Sequence, residues 1–264
     1  MTPISKFVAK HILWLLVIVI ALVEIGYFLF RPMLNEMRQS DSADGTNTAI
    51  TIEGENPYEI SPRIKKIPQP SLDKKITAPT RYPAFYQAAM EEKLLDAKKI
   101  LAESPYDVTQ WGNIAILYEN YDYFKDAEEI WEYLIKVDSI EPAYYARLAS
   151  LYHFSLKDYT KAESLYEKTL ALDSSRVDLY HSFHDLYKFL YKKDIRKAIN
   201  VLKTGLENNP GELELLSLLA NDYREAGDTK KSYEAYSEAI TAARSKGFYD
   251  LATSLERDRD ALSK

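Results

Sequence analysis

The feature that most constrains this chain is a pattern of aromatic and small residues that returns every 34 to 36 residues. Its two marker positions are Tyr118, Tyr152, Tyr187 and Tyr223 for the first, and Ala127, Ala162, Ala198 and Ser232 for the second. Each alanine precedes the next tyrosine by 25 residues, whereas each tyrosine precedes its own Ala or Ser by 9, 10, 11 and 9 residues in turn. Length therefore varies at a single turn, as in stacked helix–turn–helix units, and we expect the additional residues to lie in a loop.

Each unit is predicted to contain a helix A and a helix B that pack through one small residue and several large ones. The residues are Trp111, Ile114, Ala115, Tyr118, Ala127 and Trp131 in the first unit, Tyr145, Leu148, Ala149, Tyr152, Ala162 and Tyr166 in the second, and Leu216, Leu219, Ala220, Tyr223 and Tyr236 in the fourth. The third unit departs, with His184 at the small position and Leu202 at the aromatic one. A small residue lets helix B approach helix A, and the aromatic rings fill the space between neighbouring hairpins. The aromatic stripe is therefore predicted to be core.

The period and these residue types resemble the tetratricopeptide repeat (TPR) family. The resemblance implies an all-α fold, a TPR-type α-solenoid over residues 83–264. Its expected repeats span about 108–141, 142–176, 177–212 and 213–246, between cap helices at 84–103 and 248–262. A solenoid needs such caps to cover its terminal apolar faces. In the first cap, the spacing predicts that Phe85, Ala89, Leu94, Ala97 and Leu101 are buried.

The N-terminal thirty residues differ from the repeats in kind. After a short tail at 1–11, an apolar run from Ile12 to Phe30 is interrupted only by Glu24. Nineteen helical residues span roughly 28 Å, close to a bilayer core of about 30 Å, so the run at 12–30 predicts a transmembrane anchor. A cleaved signal peptide is the rival interpretation, but its apolar region is usually shorter and ends at small residues.

The side of the membrane that the repeats occupy is not decided by charge, because the lysines before the span and the arginines after it balance. The very short segment before the span favours a single-pass protein of the cell membrane with its repeats on the extracytoplasmic side. Between the anchor and the solenoid, residues 31–82 hold most of the chain's prolines and lack a helical period. Proline favours extended backbone, so this stretch is predicted to be a flexible, semi-extended linker.

Composition and motifs give no support for catalysis or for a cofactor. Cysteine is absent and the net charge of −6 argues against nucleic-acid binding. No phosphate-binding glycine loop, nucleophile elbow or paired zinc motif is present. His153, His181, His184 and Asp185 are the one combination that suggests a metal site. The repeat register directs His184 into the A/B packing and the others elsewhere, so we expect no metal.

TPR proteins bind partners on the concave face that helix A lines, and the resemblance implies a groove formed by Ile116, Glu119, Asn120, Ser150, His153, Phe154, His181, Asp185, Lys188, Phe189, Asn221 and Arg224. An exposed mixture of phenylalanine and polar residues suits a peptide or short helix. Phe154 and Phe189 can equally pack against the longer turns beside them. One TPR subfamily binds chaperone C-termini through a clamp of lysine and asparagine, and Gly112 and Ile116 stand at those positions instead.

The sequence therefore predicts a non-catalytic, membrane-anchored adaptor that binds a protein partner in envelope assembly, secretion or membrane-complex biogenesis. One alternative is a structural subunit of an oligomeric pilus or secretion machine, self-associating through the span and Glu24. The segment "GYFLFRPMLNEM" is similar, over a dozen residues, to the juxtamembrane start of type IV pilus assembly proteins. A metal-dependent enzyme using the histidine cluster is the other alternative.

Overall fold

Helices account for the regular secondary structure of residues 60–263, the part of the chain that the computed structural model describes, and no β-strand occurs there. The α-helices, in chain order, are α1 Pro62–Lys65, α2 Ala84–Glu103, α3 Val108–Asn120, α4 Phe124–Val137, α5 Pro142–Ser150, α6 Tyr159–Leu172, α7 Val177–Asp185, α8 Ile195–Asn208, α9 Leu213–Glu225, α10 Thr229–Ser245 and α11 Tyr249–Asp260. The helix pairs α3/α4, α5/α6, α7/α8 and α9/α10 are the A and B helices of four successive hairpins.

Acidic side chains begin many of these helices. The carboxylate of Asp107 accepts hydrogen bonds from the backbone N–H groups of Thr109 and Gln110 at the start of α3. Asp158 and Asp228 cap α6 and α10 in the same manner. The first N–H groups of a helix have no partner within the helix, so such a cap stabilises it by about 1 kcal/mol. Where such an acid precedes a helix, it thus fixes where the helix starts.

The predicted core of small and aromatic residues is confirmed. Ala115, Ala149 and Ala220 are fully enclosed between their A and B helices. The aromatic residues of helix B, Trp131, Tyr166 and Tyr236, are at most 3% exposed. In the third hairpin, His184 and Leu202 occupy the equivalent positions and are buried as well. The opening pattern of the sequence is therefore the pattern of the solenoid core.

In the second repeat, the additional residue does not lie in a loop, as the spacing predicts, but lengthens the A helix, because α5 continues into a π-helical turn at Leu151–Leu156. In the third repeat, one of the two additional residues lengthens the A helix through the π-helical turn at Leu186–Leu190, and the other lies in the predicted place, the turn 191–194 before α8. A π-turn bonds each N–H to the carbonyl five residues earlier, so it accommodates an extra residue without breaking the helix. The first and fourth repeats, which have the shorter spacing, end α3 and α9 without such a turn.

Three of the five residues predicted to be buried in α2, namely Leu94, Ala97 and Leu101, are confirmed, and Phe85 and Ala89 are not. Met90, Leu94, Ala97 and Leu101 are buried, whereas Phe85 is 77% exposed and Ala89 is also exposed. The buried residues follow steps of 4, 3 and 4, which is one face of a helix. Phe85 and Ala89 belong to the neighbouring faces, which the contact between α2 and α3 leaves open.

Residues 60–82 are packed against the solenoid, in contrast to the flexible linker that the prolines suggested. The guanidinium of Arg63 donates to the carbonyl oxygens of Lys136 and Val137 at the end of α4, at 3.2 and 2.8 Å. At the other end of the segment, Arg81 pairs with Asp122 in the turn between α3 and α4. Extended backbone is compatible with proline and still buries side chains. We call residues 60–82 the strap.

The C-terminal helix α11 covers only part of the last hairpin. It buries Ala252 and Leu255, whereas Phe248 is 53% exposed and Leu251 is 42% exposed. Leu262 packs partly against the core from the 3₁₀ turn at Ala261–Ser263. The end of the solenoid therefore retains apolar surface beside α9.

One glycine marks the tightest helix contact. A Cβ atom on Gly205, in α8, would lie 2.8 Å from Leu215 Cδ1 and 2.9 Å from Tyr180 Cγ. Such distances are shorter than carbon atoms tolerate, and both neighbours are buried. Gly112 in α3 differs, since its added Cβ would meet only the Trp131 ring at 3.9 Å. Close approach of α8 to α7 and α9 therefore requires glycine at position 205.

Between residues 60 and 263, no helix has the length and apolar character that a bilayer crossing requires. The predicted tail at 1–11, the anchor at 12–30 with Glu24, and the part of the linker before residue 60 all lie outside the described residues.

Candidate functional site

The A helices α3, α5, α7 and α9 present equivalent positions along the solenoid, and we call this surface the A-helix face. Three grooves open onto it. The first, about 520 Å³, lies between α2 and α3; the second, about 460 Å³, lies between α5 and α7; the third, about 440 Å³, lies between α9 and α11. Grooves of this size between helices are where proteins commonly accept ligand side chains.

Several of the predicted groove residues line these three openings. Ile116 and Asn120 lie in the first groove, Ser150 in the second and Asn221 in the third. Asn120, Phe154, Phe189 and Arg224 are exposed, and the half-buried members of the predicted set are Ile116, Glu119, Ser150, His181, Asp185, Lys188 and Asn221. The structure thus distributes the predicted residues over one face instead of gathering them into a single pocket.

His153 was predicted to line the groove, and the structure buries it. Its side chain is 1% exposed, its Nδ1 atom lies 2.9 Å from the hydroxyl of Tyr166, and its ring stacks on Phe154 with centroids 3.9 Å apart. Burial lowers the pKa of His153, because the charged imidazolium would lose its solvation. His153 therefore supports the exposed ring of Phe154 from beneath and does not offer a contact of its own.

The residue that follows each marker tyrosine explains this burial. In the first repeat, that residue is Glu119, whose carboxylate accepts a hydrogen bond from Trp131 Nε1 at 2.6 Å. Burial raises the pKa of Glu119, although the hydrogen bond from Trp131 and the charge of Arg147 lower it. In the second repeat, the equivalent residue is His153, which meets Tyr166. The side chain after the tyrosine thus bonds the helix B aromatic residue in both repeats.

The third repeat lacks that partner, because Leu202 has no polar side-chain atom. Lys188, the residue after the third marker tyrosine, reaches instead into the fourth repeat. Its Nζ atom lies 2.7 Å from Asp222 Oδ1 and 3.0 Å from Glu225 Oε1. Burial lowers the pKa of Lys188, but hydrogen bonds to Asp222 and Glu225 outweigh it and raise the pKa above its usual value.

Asp222 is the centre of a buried polar joint between α7 and α9. Its side chain has no solvent exposure, and its second oxygen lies 2.8 Å from Nε2 of His184. The other ring nitrogen of His184 lies 2.9 Å from Asp185. A buried carboxylate is tolerated only where paired and hydrogen-bonded, and here both oxygens have partners. Lys188 and His184 therefore join repeats three and four through Asp222, and Asp185 holds the other side of the His184 ring.

The histidines do not form a metal centre with their acidic neighbours. His181 lies 3.7 Å from Asp185 and 3.7 Å from Glu214, whereas His184 is buried against Asp222. Within residues 60–263, no group of three or more potential ligands has the geometry to hold a metal ion. Of the candidate ligands, His181 and Asp185 are thus partly exposed, whereas His184 is buried in the core.

Phe154 and Phe189 both lie on the π-helical turns and remain 60% and 55% exposed. Phe154 stacks on His153, and Phe189 meets the ring of His184 edge-on with centroids 6.4 Å apart. The two alternatives for these rings were exposure on the groove face and packing against the longer turns, and the structure leaves both rings more than half exposed. Each ring rests on a buried histidine and offers its other side to solvent, beside the grooves of the A-helix face.

Sequence reasoning missed several residues of this face. Arg147, Arg176 and Asp178 line the second groove, and Asp178 Oδ2 lies 2.7 Å from Arg176, which lowers the pKa of Asp178. Asn113 lines the first groove together with Tyr86 and Ile100 of α2, which adjoin the buried residues Met90 and Ala97. Asn113 and Arg147 each lie three residues before a predicted groove residue, so helical periodicity could have identified them.

No protein-family model matches the chain, and no curated protein matches it. Among solved structures, the chain is similar to a crystal structure of MamA, at 18% identity and a TM-score of 0.51, over 62% of this chain and 95% of that one. A crystal structure of MamA protein aligns at 18% identity and a TM-score of 0.50, over 62% and 88% of the two chains. YrrB, described as a TPR protein with an unusual peptide-binding site, aligns at 16% identity and a TM-score of 0.44, over 63% and 91%.

Identities of this size show the fold and not the activity. The hairpins, their period and the likeness to the MamA structures together define residues 60–263 as an all-α, TPR-like helical solenoid. The fold expected from the sequence is thus confirmed for the described part of the chain.

Proposed function

We propose that this protein is a non-catalytic, membrane-anchored scaffold that binds a segment of a partner protein along the A-helix face. The observation that carries the proposal is the pair of exposed rings, Phe154 and Phe189, on equivalent turns of α5 and α7. Each ring is held on a buried histidine and stands beside half-buried polar groups such as Ser150 and Asp185. Apolar anchors one repeat apart with polar neighbours suit an extended peptide or an amphipathic helix.

The grooves support the same proposal because they continue this surface in both directions. The first groove adds the apolar side chains of Ile116 and Ile100, and the third adds Leu218 and Leu251 beside Asn221. A partner segment lying across α3 to α9 would meet apolar and hydrogen-bonding groups alternately. Repeat scaffolds commonly work through extended surfaces of this kind.

Site-specific photo-crosslinking in living cells tests the proposal. A photoreactive benzoylphenylalanine replaces Phe154 or Phe189, and the matched control places it at Tyr233, an exposed aromatic residue on the B helix α10. We expect the two A-helix positions to capture the same partner protein and the control to capture none of it. Equal capture at all three positions, or no capture at the first two, would overturn the proposal. Capture of a second copy of this chain would instead favour a structural subunit of an oligomeric machine.

Membrane attachment through residues 12–30 belongs to the same proposal and is supported by the apolar run there, and we also propose that the solenoid is extracytoplasmic. The chain lacks cysteine, so Ser263→Cys introduces a single thiol near its C-terminus. A membrane-impermeant maleimide should label this variant in intact cells. Protection until the cells are opened would place the solenoid in the cytoplasm, where the partner would then have to be sought.

A further inference from the structure

The strap shows how this solenoid holds an extended segment on the opposite surface, the B-helix face formed by α2, α4, α6 and α8. Lys98 of α2 donates to the carbonyl of Leu72 at 2.7 Å, and Lys74 of the strap pairs with Asp126 of α4 at 2.7 Å. Between and beyond these contacts, Ile76 and Ala78 are buried. The strap thus contacts both B-type helices that flank α3, with a charge pair at one side and a backbone hydrogen bond at the other.

The repeat register maps this occupied groove onto one two repeats further along the chain, between α6 and α8. Lys98 precedes its marker tyrosine by 20 residues, as Glu167 precedes Tyr187 (118 − 98 and 187 − 167). Asp126 precedes its marker alanine by one residue, as Lys197 does. Tyr180, Phe183 and Tyr187, which line the α6/α8 groove, correspond in register to Trp111, Ile114 and Tyr118, which are buried in α3. The α6/α8 groove is therefore the strap's groove in another repeat.

The α6/α8 groove is open, with a volume of about 350 Å³. Leu170, Phe183 and Val201 supply its apolar lining, and Thr204 lies at its rim. In the intervening groove between α4 and α6, the residue equivalent to Thr204 is Lys168, whose Nζ atom lies 5.9 Å from the ring centre of Tyr145. A short threonine leaves open the space that a long lysine side chain covers.

Charge decides what the open groove can accept. Lys197 stands where the strap's groove has Asp126, and Glu167 stands where it has Lys98, so both signs are reversed. A strap from a second copy, docked in the same orientation, would bring Lys74 against Lys197. Lys197 Nζ already lies 3.8 Å from Glu163 Oε1 and is 42% exposed, so an acidic side chain at that point of the occupant would share Lys197 with Glu163 instead.

We propose that the α6/α8 groove is a second docking site, which takes an extended segment of a partner protein with an acidic residue two positions before a buried aliphatic one. The site is independent of the A-helix face and would use the charge pair and the buried aliphatic residue of the chain's own strap, whereas Glu167 cannot donate to a backbone carbonyl as Lys98 does. Alternate side chains of an extended segment point the same way, so the acid and the aliphatic residue would both face the groove.

Fluorescence polarisation with the full-length chain in mild detergent tests this proposal. The probe is a labelled peptide of residues 70–79 carrying Lys74→Glu, and the comparison peptide has the unaltered sequence. We expect saturable binding of the acidic probe, roughly threefold tighter than the unaltered peptide, since a partly exposed ion pair contributes modestly. Lys197→Glu in the protein should reverse the preference between the two peptides.

A blocking variant assigns the binding to this groove. Thr204→Lys copies the lysine that covers the neighbouring groove, on an exposed helical position that tolerates it, and should weaken the acidic probe on the order of tenfold. Thr253→Lys, an exposed threonine on α11, is the matched control and should leave binding unchanged. Equal affinity of the two peptides, undiminished binding to Thr204→Lys, or no saturable binding would each overturn the proposal.

Discussion

The buried joint between repeats three and four gives the sharpest test of how this solenoid is held together. Asp222→Ala removes the carboxylate that accepts from both Lys188 and His184. It leaves the ring nitrogen of a histidine that is 1% exposed without a partner, and it leaves a lysine whose side chain is 12% exposed with Glu225 alone. The variant therefore creates unpaired polar groups, which cost more than the loss of the bonds themselves.

The expected magnitude follows from those two groups. Breaking a buried ion pair by removing one partner costs about 3–5 kcal/mol. Lys188 keeps Glu225 as an acceptor and some contact with solvent, so the loss of its ion pair should cost an amount at the lower end of that range. The unsatisfied His184 nitrogen adds about 1–3 kcal/mol. Because the two contributions overlap in one network, we expect the free energy of unfolding to fall by about 3–4 kcal/mol in total.

Urea unfolding followed by far-UV circular dichroism measures this change. Glu225→Ala is the control, since it removes the exposed partner of Lys188, and it should cost no more than about 0.5 kcal/mol. Lys188→Met alone should also be costly, whereas the Lys188→Met/Asp222→Ala double variant should cost less than the two single variants added together. A loss below about 1 kcal/mol for Asp222→Ala, or strict additivity in the double variant, would refute a coupled joint.

Three further predictions concern packing, the strap and pH. Gly205→Ala should lower the free energy of unfolding by about 1–3 kcal/mol through overpacking, whereas Gly112→Ala should raise it by about 0.5–1 kcal/mol; opposite signs in urea unfolding check the pair. Ile76→Ala should lower the free energy of unfolding by about 2 kcal/mol and accelerate amide hydrogen exchange in residues 70–79. Neither change is expected if this segment is a free linker. Because burial raises the pKa of Glu119, the folded state holds its proton more tightly and loses stability as pH rises through that pKa. Glu119→Gln, which keeps an acceptor for Trp131, should therefore stabilise the protein at about pH 7 and lose that advantage at about pH 4.

The hairpins could be predicted from the sequence because their core depends on volume. A ring such as Tyr166 cannot be buried by one hairpin, so its recurrence beside a small residue such as Ala149 requires stacked repeats. The strap could not be predicted in this way. Proline removes helical periodicity, and the apolar residues Ile64, Ile67 and Ile76 that dock the segment then lack a pattern to mark them. A segment without regular secondary structure, such as the strap, can therefore still be packed against the solenoid.

The candidate site could be predicted only as a face. Helical register places Ile116, Ser150 and Asn221 at grooves, because those positions follow from the period alone. Helical register could not reveal that the side chain of His153 turns inward. That orientation depends on whether helix B places a hydroxyl group, here that of Tyr166, within hydrogen-bonding distance. Register was equally silent on the π-turns, since an extra residue can enter a loop or a helix with the same spacing in sequence.

The departures of the third repeat compensate one another and should be understood as a set. His184 is larger than the alanine of the other repeats, and Leu202, facing it across the hairpin, is smaller than their aromatic residues. Without a polar group on Leu202, Lys188 bridges to Asp222, which also receives His184. In α8, the absence of a side chain on Gly205 allows Tyr180 to pack closely against the helix. The short side chain of Thr204 leaves the α6/α8 groove uncovered. The repeat that deviates most from the shared pattern is thus joined to its successor through a buried polar network, and its B helix leaves the α6/α8 groove open.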